Sequence, residues 1–148
     1  MHPEAELAQM LSHGYAYARD FFQQGRLDEA EGFFRYLCMY DFSNPGYALG
    51  LAATYQLKKQ YAQAIDVYRM VRMLDGGGMR PMFFQGQCHF MLRQFESARR
   101  CFEACLSCDD AGSLHISALR YLAMIGRTGD ASFVPCNGDH FSTKSHKW

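Results

Sequence analysis

The chain has 148 residues, enough for one domain with a sizeable core, and its 15 basic and 15 acidic side chains cancel. A formal charge of zero argues against a nucleic-acid or anionic-membrane surface, and a hydrophobic fraction of 49% excludes a chain disordered throughout. No apolar run approaches the about 18–20 residues that span a bilayer. The opening MHPEAELAQML carries acidic residues and no Lys or Arg, unlike a secretory leader. The six cysteines are therefore expected to be reduced thiols in a cytosol.

In chain order, His2–Leu11 is expected to be helical, with Pro3 suited to a first turn and Glu4 and Glu6 to a helix N-terminus. Gly14 is expected to weaken a continuous helix from there. Helices follow over Ser12–Gln24 and Leu27–Tyr40. Asp41–Pro45 is a break in which Asn44 can cap the next helix, with Pro45 at its first position. Helices are expected over Pro45–Leu57 and Tyr61–Leu74, then a link at Asp75–Gly78, then helices over Arg80–Arg93 and Phe95–Ser107. Asp109–Gly112 is a loop, and Ser113 can cap a seventh helix running to Ile125. From Gly126 to Trp148 no apolar period continues, and this tail is expected to be flexible and dispensable.

Three helix pairs share one period. Ala18, Phe21, Ala30 and Phe34 recur 34 residues on as Ala52, Tyr55, Ala64 and Tyr68, and again as Gly86, His89, Ala98 and Phe102. Small residues let helix backbones approach, and rings one turn further on fill the space between pairs. This is the tetratricopeptide signature. The expected fold is an all-α tetratricopeptide (TPR) solenoid: one domain over 1–125, with repeats at about 11–44, 45–78 and 79–112 and a C-terminal capping helix at about 113–125. One repeat alone cannot bury its apolar face, so stacking must supply the core.

Chemistry-bearing motifs are few. Cys101, Cys105 and Cys108 lie at i, i+4 and i+7 and include one C-x2-C, with His115 as a further ligand candidate. There is no second C-x2-C and no H-x3–5-H, so the cysteines read as small packing residues and no metal or other cofactor is expected. His89 falls in an aromatic packing slot and is expected to satisfy one ring nitrogen. No G-x-S-x-G, P-loop or dinucleotide fingerprint is present, and Gly76–Gly78 has no following Lys-Ser or Lys-Thr, so the chain is not read as an enzyme.

The remaining candidate is the inner face of the solenoid, lined by the first helix of each pair. Its slots hold Ser12, Tyr15, Arg19 and Phe22, then Gly46, Leu49, Ala53 and Leu57, then Arg80, Phe83, Gln87 and Phe90. Tyr15, Phe22, Leu49, Phe83 and Phe90 are large, and by slot they fall outside the stacking positions. An apolar patch of this kind marks a binding surface. Tyr15, Arg19, Phe22, Leu49, Ala53, Leu57, Phe83, Gln87 and Phe90 are the expected peptide-binding residues, with burial by the N-terminal segment or a dimer partner as the alternative. A carboxylate clamp would use Lys, Arg and Asn in slots that here hold Tyr15, Arg19, Gly50, Arg80 and Phe84. An apolar internal segment fits better than a C-terminal carboxylate.

Two stretches, QGRLDEAEGFFRYLCMYDFSNPGYALGLAATYQLKKQYAQAIDVY and RPMFFQGQCHFMLRQFESARRCFEA, resemble the class II chaperones of bacterial type III secretion, in the invasion-system branch. The resemblance runs from about Tyr15 to Met124. It implies a bacterial cytoplasmic, non-enzymatic protein that keeps hydrophobic translocators soluble and competent for secretion. It also implies binding of a P-x-L-x-x-P translocator segment in the concave groove, a homodimer, and in some members assistance to a transcription activator. No direct nucleic-acid or membrane contact is implied. Family members carry a further N-terminal helical segment for dimer contacts, whereas here about ten residues precede the first repeat. The alternative reading is a generic TPR adaptor, either an effector or needle-subunit chaperone or a regulatory co-activator.

Overall fold

A computed structural model describes residues 2–74, 78–108 and 112–127 of the chain. Among them are seven helices and no strand: α1 (Pro3–Gln23), α2 (Leu27–Tyr40), α3 (Pro45–Leu57), α4 (Tyr61–Leu74), α5 (Met79–Met91), α6 (Phe95–Leu106) and α7 (Ser113–Gly126). The pairs α1–α2, α3–α4 and α5–α6 pack internally, and each first helix also packs on the second helix of the pair before it. α7 lies chiefly against α6 with a smaller contact to α5, the place a fourth first helix would take. The tail expected to be mobile falls, from 128 onward, outside the described residues, as do 109–111 and most of the glycine link.

The 34-residue slots form the core. Ala30, Ala64, Ala98, Phe34, Tyr68 and Phe102 are all fully buried. Burying a ring of that size contributes roughly 1.5–3 kcal/mol, which is why stacking can hold short helices that would not persist alone. The ring of Phe34 lies where a side chain on Gly50 would project, and the ring of Phe102 sits 2.9 Å from the corresponding point on Gly86. Glycine at these two places lets the ring press against backbone.

The turns inside the pairs repeat as well. Gly25, Lys59 and Arg93, each 34 residues apart, all adopt positive φ, at 74°, 62° and 60°. The next residue's amide closes each helix: Arg26 donates to Phe21, Gln60 to Tyr55 and Gln94 to His89, all at 2.9 Å. This six-to-one bond with a left-handed residue before it is the Schellman stop. Only the first copy uses glycine, so Lys59 and Arg93 hold a conformation that L-residues disfavour. The Lys58 ammonium adds an ion pair across the pairs, to Asp28 at 2.8 Å and Glu31 at 2.9 Å on α2. Its hydrogen bonds to Asp28 and Glu31 hold its pKa above the usual lysine range.

Asn44 caps α3 as expected, its Oδ1 accepting from the amides of Gly46 at 2.9 Å and Tyr47 at 3.3 Å, with Pro45 at the first position. Two local expectations are corrected. α1 runs unbroken through Gly14, because α2 packs along it: a Cβ there would touch Leu37 at 3.4 Å. Contact with a neighbouring helix outweighs the about 1 kcal/mol that glycine forfeits in a helix interior. At α7, Gly112 rather than Ser113 is the N-cap, and no side chain caps it.

Candidate peptide groove

The slots assigned to the inner face divide into two kinds. On α1, Tyr15 is half-buried and Arg19 exposed; on α3, Leu49 and Leu57 are half-buried. The Tyr15 ring meets Phe34 edge-on at 6.3 Å and Tyr47 at 5.3 Å, and the Arg19 guanidinium lies 5.7 Å over its centre. Gly46 makes room for the Tyr15 hydroxyl, since a Cβ there would come within 3.2 Å of it. A cation over the face of a fixed ring is an attractive pair. Tyr15, Leu49 and Leu57 thus keep part of their apolar surface accessible, with the Arg19 cation exposed beside Tyr15.

The other slots are closed. Phe22 and Ala53 have no exposure, Phe83 and Phe90 are 3% exposed and Gln87 is 4% exposed. Phe83 packs edge-on against Phe84, Phe102 and Tyr121, and Phe90 against Phe95 and Tyr121. Tyr121 comes from α7 and stacks on Phe102 at 4.7 Å. The expectation that Phe22, Phe83 and Phe90 stand outside the packing positions is therefore corrected: they are core residues. For Phe83 and Phe90 the physical reason is α7, which fills the space beside α5 that slot counting within repeats leaves open. Phe22 is enclosed in the core formed by α1, α2 and α3.

A polar ladder crosses this closed region. The Tyr68 hydroxyl donates to Gln56 Oε1 at 2.8 Å, Gln56 Nε2 donates to Gln87 Oε1 at 3.0 Å, and Gln87 Nε2 donates to the Tyr121 oxygen at 3.1 Å. Burial pushes the Tyr121 hydroxyl up to about 12, partly offset by the Gln87 bond. Buried amides are tolerated only when paired in this way. From the sequence Tyr121 is expected only on the apolar side of the capping helix, and Gln56 is not among the candidate residues. Gln56 was detectable in principle, because its slot holds Phe22 and Phe90 in the other repeats.

The arrangement offers apolar contact and a cation. The cysteines fit that picture. Cys88, Cys101 and Cys105 are buried, and burial raises their thiol pKa values, Cys105 to about 12, so they are held as thiols. Cys105 Sγ donates to the Met79 carbonyl at 3.8 Å and Cys108 Sγ to the Ala104 carbonyl at 3.6 Å. Among the described residues no three His, Cys, Asp or Glu side chains are grouped to hold a metal ion.

The stacked helix pairs define a tetratricopeptide-repeat protein, and the family's profile matches residues 15–44 and 47–70. The chaperone protein SicA of Salmonella typhimurium is 50% identical over 113 residues, covering 76% of this chain and 68% of that protein. The chain belongs to the class II chaperones of bacterial type III secretion, in their invasion-system branch. PcrH of Pseudomonas aeruginosa, solved in complex with the chaperone binding region of PopD, is 29% identical with a TM-score of 0.72 over 83% of this chain and 96% of that one. SycD of Yersinia enterocolitica, solved with a peptide of the translocator YopD, shares the fold at 22% identity, with a TM-score of 0.77 over 82% of this chain and 96% of that one.

Proposed function

We infer that this chain binds hydrophobic translocator subunits in the bacterial cytoplasm and masks their membrane-inserting segments until export, without catalysing a reaction. No helix among the described residues is long and apolar enough to cross a membrane, which is consistent with that location. The observation that carries the reading is the apolar surface that Tyr15, Leu49 and Leu57 each keep accessible at the expected groove positions, with Arg19 exposed beside Tyr15, in a chain of this family. An extended P-x-L-x-x-P segment laid across it would place apolar side chains against Tyr15 and the two leucines. Proline lowers the ordering loss of the free peptide. Burying one Leu and two Pro side chains supplies several kcal/mol, consistent with affinity on the order of micromolar. Ala53, buried, would serve as the floor, and Phe22, Phe83, Gln87 and Phe90 would act by holding the walls in place.

The binding unit is residues 1–125, with Gly126–Trp148 dispensable. Leu7, Met10, Tyr17 and Tyr36 are all more than a third exposed on α1 and α2, and this face suits a second copy of the chain. The family resemblance extends the proposal to a transcription activator engaged once cargo has left. The test is titration of a P-x-L-x-x-P translocator peptide into wild type and Leu49→Gln. The variant is expected to bind at least about tenfold more weakly while its circular dichroism is unchanged, one buried leucine contact being worth that much. Equal affinity in a folded variant would remove α3 from the site.

A further inference from the structure

A second recess lies between α4, α5 and α6, with a volume of about 230 Å³. Its lining includes Arg69 and Arg72 from α4, Gln85 and His89 from α5, and Arg100 from α6. Among the described residues no acidic side chain lines it. At 100° per residue, Gln85 and His89 face the opposite side of α5 from Phe83, Gln87 and Phe90, so the recess is separate from the peptide groove.

Arg72 is positioned by a chain of bonds. Its Nη1 donates to Gln85 Oε1 at 3.0 Å, which turns the Gln85 amide nitrogen toward His89 Nε2 at 3.5 Å. His89 Nδ1 lies 2.7 Å from Gln94 Oε1. The neutral tautomer with its proton on Nδ1 satisfies both contacts, so His89 uses both ring nitrogens rather than one. Gln85 and His89 are 4% and 5% exposed. The Arg72 Nε is buried and has no partner. Among the described residues Arg69 pairs with Asp66 alone, at 3.7 Å and largely in solvent, and Arg100 forms no ion pair.

The same junction one repeat earlier is built differently. There the slots of Arg72, Gln85 and His89 hold Cys38, Leu51 and Tyr55. The slot of Arg69 holds Arg35, which pairs with Glu31 at 3.5 Å, and the slot of Arg100 holds an acid, Asp66. Packing alone is therefore met by apolar residues and balanced charge. The later junction replaces them with a buried polar relay and three guanidinium groups, with no acid among the described residues lining the recess. Burying polar groups where apolar ones suffice is unfavourable unless they meet a partner.

We propose that the recess between α4, α5 and α6 binds an acidic segment of a partner protein, with carboxylates received by Arg72, Arg69 and Arg100. The charge complementarity is direct, and the guanidinium fork matches a carboxylate in bidentate geometry. The neutral net charge and the small recess favour a short acidic peptide over a nucleic-acid backbone.

The test uses the full chain and a fluorescein-labelled ten-residue peptide carrying four glutamates, with a glutamine version as control, read by anisotropy. The glutamate peptide is expected to bind, to weaken with added salt, and to bind Arg69→Gln/Arg100→Gln at least tenfold more weakly. Binding of a P-x-L-x-x-P peptide to the same variant should stay within twofold of wild type. Arg100→Glu, a single change at an exposed side chain, keeps the comparison open if the double variant loses helix. No binding to wild type, equal binding of the glutamine peptide, or equal binding to the folded variants would overturn the proposal. Displacement by inorganic phosphate at matched charge would also overturn it, leaving a small-anion site.

Discussion

Leu49 on α3 and Phe83 on α5 hold the same slot in successive repeats, yet Leu49 is half-buried and Phe83 is sealed. Leu57 and its counterpart Met91 are both half-buried, so the contrast rests on Leu49. On α5, Phe83, Gln87 and Phe90 are sealed, Phe83 and Phe90 by Tyr121 of α7 and their own helix pair, Gln87 by its bonds to Gln56 and Tyr121. The difference teaches that slot position within a repeat does not decide exposure in a finite solenoid. The end of the stack must cover its last apolar face, and the covering helix takes residues that an internal repeat can leave for a ligand.

The sharpest way to break that comparison is Phe83→Asp. With Phe83 in the core, the variant should lose at least about 3 kcal/mol, the loss for deleting a buried ring, and a buried charge adds to it. Thermal melting followed by circular dichroism reads this. An unchanged midpoint would return Phe83 to the open face.

A smaller effect separates the two glycines under the packing rings. In Gly50→Ala the added methyl falls within the Phe34 ring, which has no exposure and no free side to move toward. Overpacking of about 1–3 kcal/mol should exceed the about 1 kcal/mol that alanine gains over glycine in a helix. Gly86→Ala, where the ring atom is 2.9 Å away, should be milder. Denaturant midpoints that rank the two the other way would show that Phe34 is the freer ring.

The ladder offers a third measurement. Gln87→Leu takes the acceptor from the buried Gln56 Nε2 and a donor from the Tyr121 oxygen, and should destabilise by about 1–3 kcal/mol. Gln56→Leu/Gln87→Leu removes the stranded Gln56 amide but also takes the acceptor from the buried Tyr68 hydroxyl, so its loss should be smaller than the sum of the two single losses. A double variant whose loss is the sum of the single losses would mean that the two glutamines are not coupled.

The smallest expected effect lies in the turns. Lys59→Gly relieves a positive φ at a place where the first repeat already uses Gly25, and should stabilise by up to about 1 kcal/mol. Lys58 keeps its ion pairs in this variant, so a loss of stability would show that the Lys59 side chain makes a contact worth more than the strain.

The sequence alone determined the repeat architecture. A period of 34 in small and ring residues fixes where helices cross, and those crossings are local, set by side-chain size at Ala30, Ala64 and Ala98. Asn44 and Pro45 likewise marked the start of α3, because a cap acts within three residues of itself. What only the tertiary structure decided were relations between elements without a repeat counterpart. α7 breaks the period, so nothing in the slots of α5 announced that Tyr121 would close over Phe83 and Phe90. The continuity of α1 through Gly14 depended on α2 lying along it. The alignment of Gln85, His89 and Arg72 into one relay required α4 and α5 to be placed side by side. Local propensities and spacings are properties of the chain, whereas exposure depends on which neighbour arrives at a surface, and that is settled only when the helices are assembled.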